Sequence, residues 1–377
     1  MVRIVSVLCV FGIILLFSLN VFAQEDTQMP DEYDDMLDSL PNDITDMLPD
    51  DIFSDDITSI AQGTEKITSW EYIFNTFFDI LGLNIKVLLK SLASIIGLLI
   101  LCSLLNMLKH SIASSATERI LTLVSSATLI FTVLQISSEP LKRAMLLLEE
   151  MKIFTNTISP VMCSIYAMGG NVTSALVHNY GLIVFLSIME NICIVSLESI
   201  LGVCFGLTIA GSFIDEANIM PLCNAIKKMF TFFIGMIMLV FTTVISTQTL
   251  LASKADTLSS KTAKMLASQI IPVVGGTIGD TLRTAGASIE YLRSNVGVLL
   301  IIILLIMILP TFISIALYRL GFIISNAFAG LLGCDREGRL LLEISSIYGY
   351  VLAIISICAV TLLLLITIFA KCSSPLA

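Results

Sequence analysis

The sequence is short of what soluble enzymes are built from. Only 13% of its 377 residues are charged and only two are histidine, whereas ordinary soluble domains carry about a quarter charged residues. With 56% hydrophobic residues and a mean hydropathy of +0.96, the composition excludes a soluble globular protein and indicates a polytopic membrane protein. HExxH, GxSxG and GxxxxGK[ST] are all absent, which removes zinc-protease, nucleophile-elbow and P-loop chemistry. The GTIGD string at Gly276 to Asp280 superficially resembles the GxGD of intramembrane aspartyl proteases. Its first glycine is one residue too far away, no second aspartate lies in an apolar span, and a dyad needs two carboxylates sharing a proton. No CxxC pair occurs among the nine cysteines, Cys9, Cys102, Cys163, Cys193, Cys204, Cys223, Cys334, Cys358 and Cys372. Most sit in apolar runs, and only His110 and His178 could join them at a metal, so they read as small apolar residues and no cofactor or metal is expected.

Charge of one sign is missing from one segment. Gln24 to Asp79 holds 16 acidic residues against one basic, Lys66, which leaves 19 basic and 14 acidic residues elsewhere, a net +5. The acidity argues against nucleic acid as a partner of that segment. Met1 to Ala23, with Arg3, an apolar core and small residues at Val21 and Ala23, reads as a secretory signal peptide, the alternative being an uncleaved first helix. Either reading places the acidic segment outside the cytoplasm. With Pro30, Pro41 and Pro49 and scattered apolar residues, it reads as a solvated linker or an arm that folds on a partner, and it lacks EF-hand spacing.

From residue 80 to 377 the chain reads as an all-α fold, a polytopic transmembrane helical bundle of six to eight spans with broken or re-entrant and interfacial amphipathic helices. Candidate spans fall at about 83–108, 120–138, 153–169, 176–197, 200–214, 229–251, 296–318 and 347–370. Pro160 is expected to interrupt the third and Pro310 the penultimate one. Gly202 and Gly206 form a GxxxG. Arg319 reads as a headgroup anchor, and Asp335, Arg336, Glu337 and Arg339 as a solvated turn. Glu190, deep in an apolar run beside Asn191, and Glu198 can share a face of a continuous helix. They line a path for a cation or proton, or else mark a paired carboxylate and a helix end.

The stretch Ile270 to Gly297 stands apart. Ile270 to Gly279 is apolar yet far shorter than the roughly 20 residues of a spanning helix, and it carries Pro272, Gly275, Gly276 and Gly279, the pattern of a re-entrant segment. From Ile278 the residues Leu282, Ala285, Ile289, Leu292 and Val296 recur on one helical face, with Asp280 and Arg283, and Glu290 and Arg293, on the other. The IPVVGG string, Asp280, Leu292 and a basic residue shortly before Val296 and Gly297 resemble the signature of the stage III sporulation protein AE family. Asn295 is displaced by one position from the family pattern, and Glu290 is a charge where an apolar residue is expected. The resemblance implies a non-enzymatic, permease-like or export-platform-like subunit of a channel complex between mother cell and forespore. Ring-forming subunits, a separate ATPase and, indirectly, a forespore membrane protein would be its partners, and the mother-cell membrane around the forespore its place. It also marks Pro272, Val273, Val274, Gly275, Gly276, Asp280, Arg293 and Gly297 as channel or assembly residues. A non-conducting scaffold and a secondary transporter unrelated to sporulation remain as alternatives. The transporter predicts internal repeats across the two halves.

Overall fold

The computed structural model describes residues 69–109, 115–213, 220–270 and 275–371, with scattered positions from Tyr33 to Ile67. The proposed signal peptide and Pro272, Val273 and Val274 lie outside the described residues. Among those described there is no strand. Seven α-helices follow one another as α1 (Trp70–Lys109), α2 (Ser115–Met168), α3 (Val172–Ile188), α4 (Val195–Phe213), α5 (Met220–Ile270), α6 (Gly275–Leu331) and α7 (Asp335–Lys371). A π-helical segment, Met189–Ile194, joins α3 to α4. Helices are what an apolar chain must form where no water is available to bond its backbone.

The antiparallel pair α6 and α7 is the axis of the bundle and makes its most extensive helix contact. Their most apolar windows are 67% and 61% buried, against 17% in α5 and 22% in α1, so these outer helices offer most of their surface to whatever surrounds the bundle. The pair is joined by a tight reversal. Gly333 takes φ +69°, its N–H donates to Gly330 O at 3.3 Å and the Cys334 N–H donates to Ala329 O at 2.9 Å. That is a Schellman closure, which needs a left-handed residue. The same closure ends α2, where Gly170 has φ +75° and the Asn171 N–H donates to Tyr166 O at 2.9 Å.

Cross-contacts fix the register of the other helices. Arg319 of α6 lies against Gly349 of α7, while Gly321 of α6 faces Leu88 of α1. Tyr348 Oη donates to Ser137 O of α2 at 3.2 Å, and Lys227 Nζ of α5 donates to Ser346 Oγ at 2.8 Å. Among the described residues, five stretches are long and apolar enough to cross a membrane: Phe74–Met107, Val172–Gly211, Pro221–Ser259, Gly286–Leu331 and Asp335–Lys371.

Several expectations change on this architecture. Pro140 and Pro160 lie inside α2, and Pro310 lies inside α6, so neither Pro160 nor Pro310 interrupts its helix. Packed apolar helices tolerate the missing bond. The proposed spans 120–138 and 153–169 belong to one helix, and 176–197 and 200–214 to one apolar stretch. Asp335, Arg336, Glu337 and Arg339 form the first turns of α7 rather than a solvated loop, with Glu337 only 4% exposed. Gly275, Gly276, Gly279 and Asp280 open α6, which runs on into the following span without a break. Residues 280–296 are thus continuous with the span that follows, while residues 271–274 of the expected re-entrant segment lie outside the described residues. The acidic segment is also more than solvated linker. Its Tyr33, Met36, Leu37, Ile52 and Ile67 are buried and belong to the same apolar cluster as α6 and α7, and Tyr33 Oη donates to Ile52 O at 3.2 Å.

Candidate functional site

Polar groups gather at three places in the bundle. The first surrounds Arg293. Its neighbours Ile289, Leu292, Val296 and Gly297 form the buried stripe of α6, and the guanidinium itself is fully buried. Positions three and four apart share a helical face, so the stripe is broad enough to take in Arg293, which had been expected on the polar side. Its Cζ lies 5.8 Å from the Tyr166 ring centroid, a cation–π contact. Tyr166 packs in turn on His178, with centroids 5.5 Å apart, and on Phe369 at 5.1 Å. His178 is 1% exposed, and neither ring nitrogen has a hydrogen-bond partner among the described residues. One turn beyond Arg293, Gly297 meets Ala370 of α7.

Close to this end Asp256 of α5 caps α3. The Thr173 N–H donates to its Oδ1 at 3.2 Å, the Ser174 N–H to its Oδ2 at 2.9 Å and Ser174 Oγ to Oδ2 at 2.8 Å. A carboxylate there answers both the open N–H groups and the positive end of the helix dipole.

The second place lies at the other end, between α4, α5 and α7. Lys227 is 5% exposed, and its Nζ donates to Ser346 Oγ, whose hydroxyl donates to Asn224 Oδ1 at 2.8 Å. Glu343 of α7 interacts electrostatically with Lys227. Between the two ends, α6 carries no charge from Ser294 to Tyr318. At 1.5 Å per residue Arg293 and Arg319 stand roughly 39 Å apart, enough to bracket the roughly 30 Å of a bilayer's hydrocarbon core.

The third place is the π segment. Cys193 in it lies with its Sγ 3.5 Å from Cys358 Sγ of α7. Cys358 is about midway between Gly349, which faces Arg319, and Ala370, which faces Gly297. The π segment is therefore near the middle of the bracketed layer. Glu190 is its second residue, and the Glu190 side chain lies outside the described atoms. Asn191 is exposed and donates to Ser187 O at 3.0 Å. Glu198 is exposed on α4. The wider π turn shifts the helical register between Glu190 and Glu198, so the shared face expected of a continuous α-helix is lost as an argument.

The sequence-predicted residues are thus not brought to one spot. Arg293 and Gly297 lie within the buried α6 contact, Gly275, Gly276 and Asp280 lie in the first turns of the same helix, and Glu190 lies in the π segment and Glu198 in α4. Tyr166, Asp256 and Glu343 were not singled out from sequence. Among the described residues no group of three His, Cys, Asp or Glu side chains is placed to hold a metal ion.

The profile of the family described as stage III sporulation protein AE matches residues 53–373, from the acidic segment to just past α7. The chain belongs to that family. A curated relative, the stage III sporulation protein AE of Bacillus subtilis strain 168, is 25% identical over 248 residues, which cover 64% of this chain and 60% of the relative. The match thus spans less than two thirds of the relative's length. No solved structure matches the chain. Family membership and five long apolar helices together make this a sporulation-related, multi-pass membrane protein.

Proposed function

We propose that the chain is a non-enzymatic, permease-like membrane subunit of the channel complex that links mother cell and engulfed forespore during endospore development. It would reside in the mother-cell membrane around the forespore, with residues 1–23 as signal peptide, 24–79 outside the cytoplasm and 80–377 as the membrane domain. Ring-forming subunits, a separate ATPase and, indirectly, a forespore membrane protein would be its partners. The observation that carries this reading is the family match across nearly all of the helical bundle. Glu198, a carboxylate exposed within an apolar stretch, gives it physical support, because ionisable residues in spans are expensive and mark pathways or partners.

Deletion of the gene in the parent organism tests the role. Arrest after engulfment, with late forespore transcription failing, is the expected outcome, and normal spores would overturn it. Glu190→Gln and Glu190→Leu then separate a conducting subunit from a scaffold. A conducting or proton-linked role loses spores with both, and a scaffold tolerates both.

A further inference from the structure

We infer that the outer face of the α3 to α4 stretch, from Ser187 to Gly206, borders a cation-favouring aqueous path through the membrane rather than lipid. The inference rests on the channel-complex reading and names the surface that conduction would use. Ser187, Asn191, Glu198 and Ser199 are all exposed, yet they lie inside the apolar stretch Val172–Gly211. Asn191 is tied to Ser187 by its side-chain bond to Ser187 O, and past the π segment Val195, Glu198, Ser199 and Val203 follow one another at helical steps along one side of α4, Val195 and Val203 being 54% and 51% exposed. A carboxylate and an amide turned to hydrocarbon are heavily penalised, and such residues face a bundle interior or a water-filled cavity instead.

The outer face of α5 shows what lipid-facing surface looks like in this molecule. Phe232, Met236, Leu239 and Val240 are 67%, 54%, 68% and 51% exposed there. Further along the polar face, Gly202 and Gly206 leave open space, since a Cβ on either would meet nothing within 4 Å. The π segment lies beside this face near mid-membrane, a position where such bulges are often functional. Glu198 is the charge exposed on the face among its described side chains, which favours cations over anions. One helix face cannot enclose a path, so the opposing wall belongs to a neighbouring chain.

Thiol labelling in opened membrane vesicles tests this on the full chain. Ser187→Cys, Asn191→Cys and Glu198→Cys are compared with Phe232→Cys and Leu239→Cys, using a charged, membrane-impermeant maleimide. The parent provides the baseline, since Cys102, Cys193, Cys204, Cys223, Cys334 and Cys358 are buried and the half-buried Cys163 is common to every variant. The α3 to α4 positions are expected to label roughly tenfold faster or more, since a thiol in lipid does not form the reactive thiolate. Val195→Cys and Val203→Cys repeat the test on the same side with conservative changes if a polar substitution prevents accumulation. Labelling as slow as on α5 would place the face in lipid and overturn the inference. Absent labelling, with Ser199→Cys forming cross-linked pairs under oxidation, would show a dry protein contact and overturn it equally. Labelling is read whether or not the deletion strain sporulates, so failure of the path and failure of the sporulation role are separate results.

Discussion

Gly297 of α6 stands directly against Ala370 of α7, so close that a Cβ built on the glycine would overlap the methyl group of Ala370. Its backbone is ordinary helix, so the requirement is for space and not for an unusual conformation. Gly297→Ala is expected to destabilise the bundle by about 1–3 kcal/mol, the usual range for overpacking, and Gly297→Val by more. Ala370→Gly combined with Gly297→Ala should restore part of the loss, because the added methyl then has a vacated site. Thermal unfolding of the purified protein in detergent checks both. A neutral Gly297→Val would mean that the helices do not meet there.

Asp256 holds the start of α3 from a helix more than eighty residues away, through two backbone N–H groups and one hydroxyl. Asp256→Ala is expected to cost about 1–2 kcal/mol, as for loss of a strong cap. Asp256→Asn, which keeps an acceptor but loses the charge facing the dipole, should fall between. Hydrogen exchange at the first turn of α3 gives the local readout, and unchanged protection in Asp256→Ala would refute the cap.

Lys227 and Glu343 are coupled across the α5 and α7 contact. Lys227→Met removes the cation whose field acts on the half-buried Glu343 and is expected to destabilise the contact. Adding Glu343→Gln should recover about 1–2 kcal/mol, a coupling normal for residues in one network. A double-mutant cycle on unfolding midpoints measures it, and strict additivity would remove the pair from the account.

Gly275 and Gly276 occupy the first turn of α6. A helix tolerates valine there at little local cost, so Gly275→Val and Gly276→Val should leave protein abundance and unfolding unchanged. Loss of spores at normal abundance is the expected outcome and would assign this end to a partner contact. Normal spore counts would leave the two glycines without a role in assembly.

The helical, multi-pass character was legible because long uncharged runs admit almost nothing else. The face carrying Ile289, Leu292 and Val296 was read correctly from spacing, and all three are buried. Arg293 lies off the exposed side that its charge predicts, because an arginine can be housed against an aromatic ring such as Tyr166. Prolines were read as breaks by rules drawn from helices in water. The start of α7 carried a usable signal, since Asp335 and Glu337 are acidic residues in a first helical turn. The Asp256 cap and the Lys227 network had none, because they depend on which distant helices meet. The π segment likewise leaves no mark in residue spacing.

The chargeless stretch of α6 bears on how the protein enters the membrane. Arg293 stands at one end of it and Arg319 at the other. Cytoplasmic loops are marked by an excess of lysine and arginine over the opposite side, and with Arg283 and Arg293 before the stretch and Arg319, Arg336 and Arg339 after it, the two flanks are too evenly basic to provide a strong excess. During synthesis the direction in which this segment threads the bilayer must therefore be dictated from outside it, by segments already inserted or by α7 arriving as its antiparallel partner.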